Sequence, residues 1–337
     1  HKNMAEINFG EPQNGIATQT TGNPNIEEAP KDTNIQPEDE QTENISSEEP
    51  DVTEETPHIS ETIYSPEEQK DPNKIHVKIA DQETPIVVFF GPPACGKTMT
   101  LICLARYLKE HRYTVTPVTS FRPLHDKNYQ DMCRCFDDMV YSYEAAKSTS
   151  KINFMLVNVS YNGKPICQIL EGPGELYFHP ERPLEPFPSY VHAIINSKNR
   201  KIWTIMVEPD HTNKKMTTPE IRSQYVNKIN LLYKSKMARD KVIFLFNKID
   251  ETNFQLNLTN INYNSVIAYT KDNYPGIFNS FVNQNPITKL WKSYNCDFIA
   301  FQAGDFNDTE DGTKTYTPSN DEYPKRLWNL MLKRIRG

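Results

Sequence analysis

One stretch limits what this chain can fold into more than any other. Gly91-Pro92-Pro93-Ala94-Cys95-Gly96-Lys97-Thr98 fits G-x-x-x-x-G-K-[ST] at every fixed position. It follows the apolar run at residues 86–90 and opens an almost wholly apolar helical pattern at 99–108. That order predicts strand, tight loop and buried helix. The glycines let the backbone wrap so that successive N–H groups point at phosphate oxygens, and the helix N-terminus adds partial positive charge. All eight residues, Gly91 to Thr98, are therefore candidate phosphate contacts. Lys97 is expected to reach the β- and γ-phosphates, and the Thr98 hydroxyl to bind Mg²⁺. Cys95 reads as a small space-filler inside the loop rather than a nucleophile.

Apolar runs alternate with helical patterns through the rest of the chain. Strands are expected at residues 75–80, 86–90, 152–160, 165–170, 202–207, 242–246 and 298–301. Several are continuous runs of Val, Ile and Phe, which suits strands covered on both faces. A helix is expected over 219–237, with Thr218 as N-cap and Pro219 in its first turn. Others are expected near 129–146 and at the end, where Leu327, Met331 and Ile335 share a stripe beside Trp328. The alternation argues for an α/β fold with a mostly parallel sheet and helices on both faces. Asn162-Gly163 sits between two of the strands, so one antiparallel hairpin interrupts that parallel order.

Charge divides the chain of 337 residues in two. Residues 1–74 hold 18 acidic against 4 basic side chains, with Phe9 and Tyr64 as their aromatics and eight prolines. Such a segment cannot bury enough apolar surface to offset the entropy of ordering it, so 1–74 is expected to be a disordered acidic tail. Residues 75–337 are expected to form one mildly basic domain. No apolar run approaches the roughly 18 residues a membrane-spanning helix needs. Six scattered cysteines do not form a disulfide framework, which favours a reducing cytoplasm. The basic residues of the last helix read as its solvated face, so no nucleic-acid partner is expected.

Two later stretches bear on the ligand. Asn247-Lys248-Ile249-Asp250 stands at the end of an apolar strand, where ligands of open α/β sheets bind. A carboxylate at Asp250 can accept both the N1 and N2 hydrogens of guanine, while adenine leaves it unmatched. Asn247 can donate to the acceptor edge of the base or tie the base loop to the phosphate loop. The stem of Lys248 can lie over the ring. Leu170-Glu171-Gly172-Pro173-Gly174-Glu175 follows the second hairpin strand and resembles the D-x-x-G element of Ras-like P-loop GTPases of the TRAFAC class. Residues 302–304 resemble that family's last base-contacting loop, in which Ala303 fits. The divergent motifs are also similar to the double-GTPase proteins of bacterial conflict systems.

The resemblance implies a GTP-binding protein that hydrolyses GTP to GDP and phosphate and serves as a switch read by a protein effector. It implies Mg²⁺ held by Thr98, by Glu171 through water, and by one threonine from the first switch. Thr119 is preferred for that role, with Thr116 next. Gly174 would meet the γ-phosphate, and Glu175 would face the attacking water alongside Lys97. Glu171 replaces the family's Asp, and Glu175 stands where many relatives carry Gln, which implies slow or partner-assisted turnover. Arg122 is a weaker candidate for an arginine finger in cis. Two alternatives stay open: an ATPase or kinase in which the Asn247–Asp250 motif is incidental, and a module that binds nucleotide without hydrolysing it.

Overall fold

The computed structural model describes residues 64–142, 154–174, 185–209, 218–257, 260–308 and 314–337. Structure begins earlier than composition suggests. Helix α1 (Pro66–Lys70) carries a capping box, in which the Ser65 hydroxyl accepts from the Glu68 N–H and the Glu68 carboxylate accepts from the Ser65 N–H. Tyr64 and Ile75 are buried. Residues 64–74, assigned above to the tail, are thus packed by two apolar anchors that composition averages away. Residues 75–80 form no strand. Lys78 donates to the Phe121 carbonyl, but the segment joins no sheet.

Strand β1 (Ile86–Phe90) is buried at all five positions and leads through the glycine loop into α2 (Lys97–Glu110). The chain then forms β2 (Tyr113–Pro117), a strand that was not anticipated because its Thr-Val-Thr-Pro reads equally as loop. The single helix expected near 129–146 is two, α3 (Lys127–Arg134) and α4 (Phe136–Tyr141). They part at Cys135, and Asp137 and Asp138 in the first turn of α4 suit a new N-terminus. Residues 143–146 lie outside the described residues.

Strands β3 (Met155–Tyr161) and β4 (Lys164–Glu171) pair antiparallel as expected. Asn162 and Gly163 both take positive φ, 49° and 73°, as the favoured two-residue turn requires. Next come α5 (Ser189–Asn196), β5 (Lys201–Val207), α6 (Pro219–Ser235) and β6 (Lys241–Phe246). Thr218 caps α6 by accepting from the Ile221 N–H. A short pair, β7 (Gln255–Asn257) and β8 (Asn260–Ile261), precedes α7 (Tyr263–Asn273) and α8 (Pro286–Lys289). The chain closes with β9 (Asp297–Ala300), a second hairpin of β10 (Gly304–Asp308) and β11 (Lys314–Pro318), and α9 (Glu322–Arg336).

Among the described residues the main sheet has seven strands in the order β2-β3-β4-β1-β5-β6-β9. It is parallel from β4 to β9, with β3 antiparallel to both of its neighbours. This is a mostly parallel α/β sheet with one antiparallel interruption. β5 is buried along its whole length, as both-face coverage demands. From β1 the chain crosses to the edge at β2, returns inward through β3 and β4, and then resumes at β5 on the other side of β1. The carboxyl end of β1 is therefore a topological switch point, where a crevice opens.

Leu327 of α9 is fully buried beside Trp328 and Met331. Leu327→Ala is expected to cost about 3 kcal/mol by transfer and cavity terms, read as a lowered midpoint in urea unfolding. A loss well under 1 kcal/mol would mean that this helix does not close the core.

Candidate functional site

A cavity of about 730 Å³ opens at that crevice. Pro93, Ala94, Gly96, Lys97 and Thr98 of the glycine loop form one wall. Glu171 and Gly174, after β4, form the next. Asn247, Lys248, Asp250 and Glu251 arrive from the end of β6, and Ala303 to Asn307 from the end of β9. Four segments remote in sequence thus meet at the carboxyl edge of one sheet.

The glycine loop is shaped for close approach. Gly96 has φ 91°, and an added Cβ would fall 2.2 Å from Asn247 Nδ2. Lys97 is buried and donates to the carbonyls of Pro92 at 2.8 Å and Gly91 at 3.2 Å. Its ammonium therefore rests on loop carbonyls that an anion can replace. Gly91, Pro92 and Cys95 do not line the cavity; they are buried behind it. Burial pushes the Cys95 thiol up, the opposite of an activated nucleophile.

Thr98 and Glu171 meet directly, with the Thr98 hydroxyl donating to Glu171 Oε1. Two hard oxygen donors stand side by side where loop and β4 converge. Gly174 lies so close to the loop that a Cβ would come within 2.6 Å of Lys97 Nζ and of the Pro92–Pro93 backbone. Any side chain here would collide with main chain. Glu175 and the Pro-rich stretch through residue 184 lie outside the described residues. Downstream of that stretch, Phe187 is buried edge-on against Phe90.

On the opposite wall, Asn247 Nδ2 donates to the Cys95 carbonyl at 2.8 Å. Of the two roles its sequence position allowed, the structure shows the tie between loops. Lys248 takes a left-handed backbone, φ 52°, and its ammonium lies 3.2 Å from the buried Glu208 carboxylate. Asp250 projects from the short turn Ile249–Glu251 with its carboxyl open to the cavity. Partial burial at the rim pushes that carboxyl above the usual range, and the neighbouring Glu251 and Asp305 add to the effect. A hydrogen bond from the Asp250 backbone N–H, and less so the Lys248 charge, opposes the shift.

Three sequence candidates fall elsewhere. Thr119 is exposed in the turn Thr119–Phe121, beyond the end of β2. β2 lies two strands from β4, so at about 4.8 Å per strand Thr119 is separated from Glu171 by roughly 10 Å of sheet. Thr116 is exposed on the same edge strand, paired with Asn158. The extra strand displaces both from the cavity. Arg122 is buried and bonded to Glu68, Asp126 and the His76 carbonyl, so it clamps the N-terminal segment and is no arginine finger.

Sequence reasoning missed Asp305, Phe306 and Asn307 in the cavity wall. The alternation Thr315-Tyr316-Thr317 before Pro318 was the available strand signal. Among the described residues no group of three or more His, Cys, Asp or Glu could hold a metal, and no helix is long and apolar enough to cross a membrane.

No protein-family model matches the sequence, and no curated protein matches it. Solved structures do resemble the chain. One solved as nucleolar GTP-binding protein 1 of Plasmodium falciparum is 16% identical, covers 77% of this chain and 92% of its own, and superposes with a TM-score of 0.38. A GTP-binding protein EngB is 13% identical over 74% of this chain and 98% of its own, with a TM-score of 0.34. The GTP-bound Ski7 GTPase-like domain of S. cerevisiae is 14% identical over 75% and 50%, with a TM-score of 0.41. Likenesses this loose carry no function, which must be read from the cavity.

Asn247→Ala strips the Cys95 carbonyl of its buried donor. It is expected to cost about 1–3 kcal/mol, seen as a lower melting temperature without any nucleotide. An unchanged melting temperature would show that the two loops hold their places independently.

Proposed function

We propose that this protein binds GTP with Mg²⁺, hydrolyses it slowly to GDP and phosphate, and acts as a nucleotide-dependent switch for a protein effector. The observation that carries the reading is one shared cavity with Lys97 and Thr98 at one end and the Asp250 carboxyl at the other. Its volume suits a nucleotide. A carboxylate offers two acceptors to the N1 and N2 hydrogens of guanine, whereas adenine offers it only one donor, N6–H, beside the N1 lone pair.

In this reading the loop N–H groups and Lys97 take the β- and γ-phosphates, Lys97 exchanging the Pro92 and Gly91 carbonyls for phosphate oxygens. Thr98 and Glu171 fit a hard cation, being oxygen donors already in contact. Mg²⁺ there would neutralise charge on the phosphates. Glu171 is one methylene longer than the usual Asp, and its carboxylate already touches Thr98, so the added reach is taken up inside the site. Gly174 abuts the ammonium that must hold the γ-phosphate, so its N–H would meet that phosphate, and hydrolysis would release the segment. Glu175 would then bear on the attacking water, and an anionic side chain beside a triphosphate supports slow intrinsic turnover.

Separate titrations with GTP and ATP test the base assignment. GTP is expected to bind at least tenfold tighter, Asp250→Asn to move preference toward xanthine nucleotides, and Lys97→Ala to abolish both binding and phosphate release. A wild-type preference for ATP would sink the guanine reading. Retention of GTP with no multiple-turnover phosphate release, alone or with cell extract, would leave a binding module in place of an enzyme.

Asp250 also fixes a pH dependence. Guanine binds the ionised carboxyl, so affinity is full well above its raised pKa and is lost as pH falls through it. GTP affinity is therefore expected to decline at a pH above the ordinary aspartate range of about 4, a slope that Asp250→Asn should remove. Parallel acid profiles for wild type and variant would count against Asp250 as the base contact.

A further inference from the structure

The second hairpin borders the base end of the cavity, and one of its lining residues is an aromatic. Phe306 keeps 44% of its surface exposed in the cavity wall, while its cross-strand partner is buried. It pairs across the hairpin with Tyr316, the ring centroids lying 5.2 Å apart at 33°. Tyr316 is buried and donates to the Ala303 carbonyl at 2.7 Å, so the ring behind Phe306 is tied to the loop that borders the base end. The Arg106 guanidinium lies 5.7 Å from the Tyr316 ring centre. Arg106 is itself fixed to the carbonyls of Val140 at 2.8 Å and Ser142 at 3.1 Å, at the end of α4. A buried tyrosine, tied down by its hydroxyl and contacted by a buried arginine, thus lies against one exposed phenyl ring beside Asp305, whose charge reaches Asp250.

An exposed phenyl face in a cavity wall is an unused stacking platform, and its cost of ordering has been met in advance by the packing behind it. We propose that Phe306 is the stacking wall for the purine ring of the bound nucleotide. This inference rests on the reading of the cavity as a nucleotide site. Stacking uses the π-face that every base shares, so it reads no hydrogen-bonding edge. Phe306 therefore supplies affinity, while Asp250 supplies choice of base.

That division makes the two residues separable by experiment. Full-length wild type, Phe306→Ala, Phe306→Trp and Asp250→Asn are titrated with GTP, ATP and inorganic tripolyphosphate. Loss of one base–aromatic stack corresponds to a fall in affinity of about 5- to 150-fold. Phe306→Ala is expected to weaken GTP and ATP by the same factor in that range, leaving their ratio and the tripolyphosphate affinity unchanged. Phe306→Trp should retain binding, with indole emission that changes when nucleotide is added. Asp250→Asn should instead change the GTP-to-ATP ratio. Nucleotide affinity unaltered in Phe306→Ala overturns the inference, and so does an equal loss of tripolyphosphate binding, which would mean a deformed loop. A wild type that prefers ATP refutes the guanine reading and leaves stacking to be judged on ATP. A wild type that binds no nucleotide removes both.

Discussion

The hydrogen bond from Asn247 to the Cys95 carbonyl is the interaction on which the arrangement turns. It joins the end of β6 to the loop after β1, two segments about 150 residues apart in sequence. Parallel sheet packing brings the strand ends near one another, but it does not fix the loops that leave them. This one donor does, and it leaves Gly96 no room for a Cβ. The distance between the phosphate-facing loop and the Asp250 turn is thereby set before any ligand arrives, and preorganisation of that kind lowers what binding must supply.

Much of this was legible in the sequence because strong local signals and global topology agree. β1, β5 and β6 are continuous apolar runs, Asn162-Gly163 dictates its turn, and Thr218-Pro219 starts α6. At each, propensity and packing point the same way. The placement of Lys97, Thr98, Asn247 and Asp250 around one cavity follows from strand order alone, since all four stand at carboxyl ends of strands or just beyond.

What was not legible has physical reasons. β2 is an edge strand with two of its five residues exposed, so it lacks the apolar run that marks its neighbours. Its insertion adds a strand between α2 and the hairpin and carries Thr119 away from Glu171. Residues 64–74 are polar on average but hold their place through Tyr64, Ile75 and the Arg122 clamp, all of them long-range contacts. The second hairpin depends on Tyr316 reaching the Ala303 carbonyl, another tertiary bond without a periodic trace in the sequence.

Arg106 connects regions that would otherwise be independent. Its guanidinium backs the hairpin on one side and grips the last carbonyls of α4 on the other, where the chain departs toward β3. A side chain shared in this way is a physical route between the two regions, and any coupling free energy it carries is the same read from either end. A double-mutant cycle between Arg106 and Tyr316 would put a number on that reciprocity.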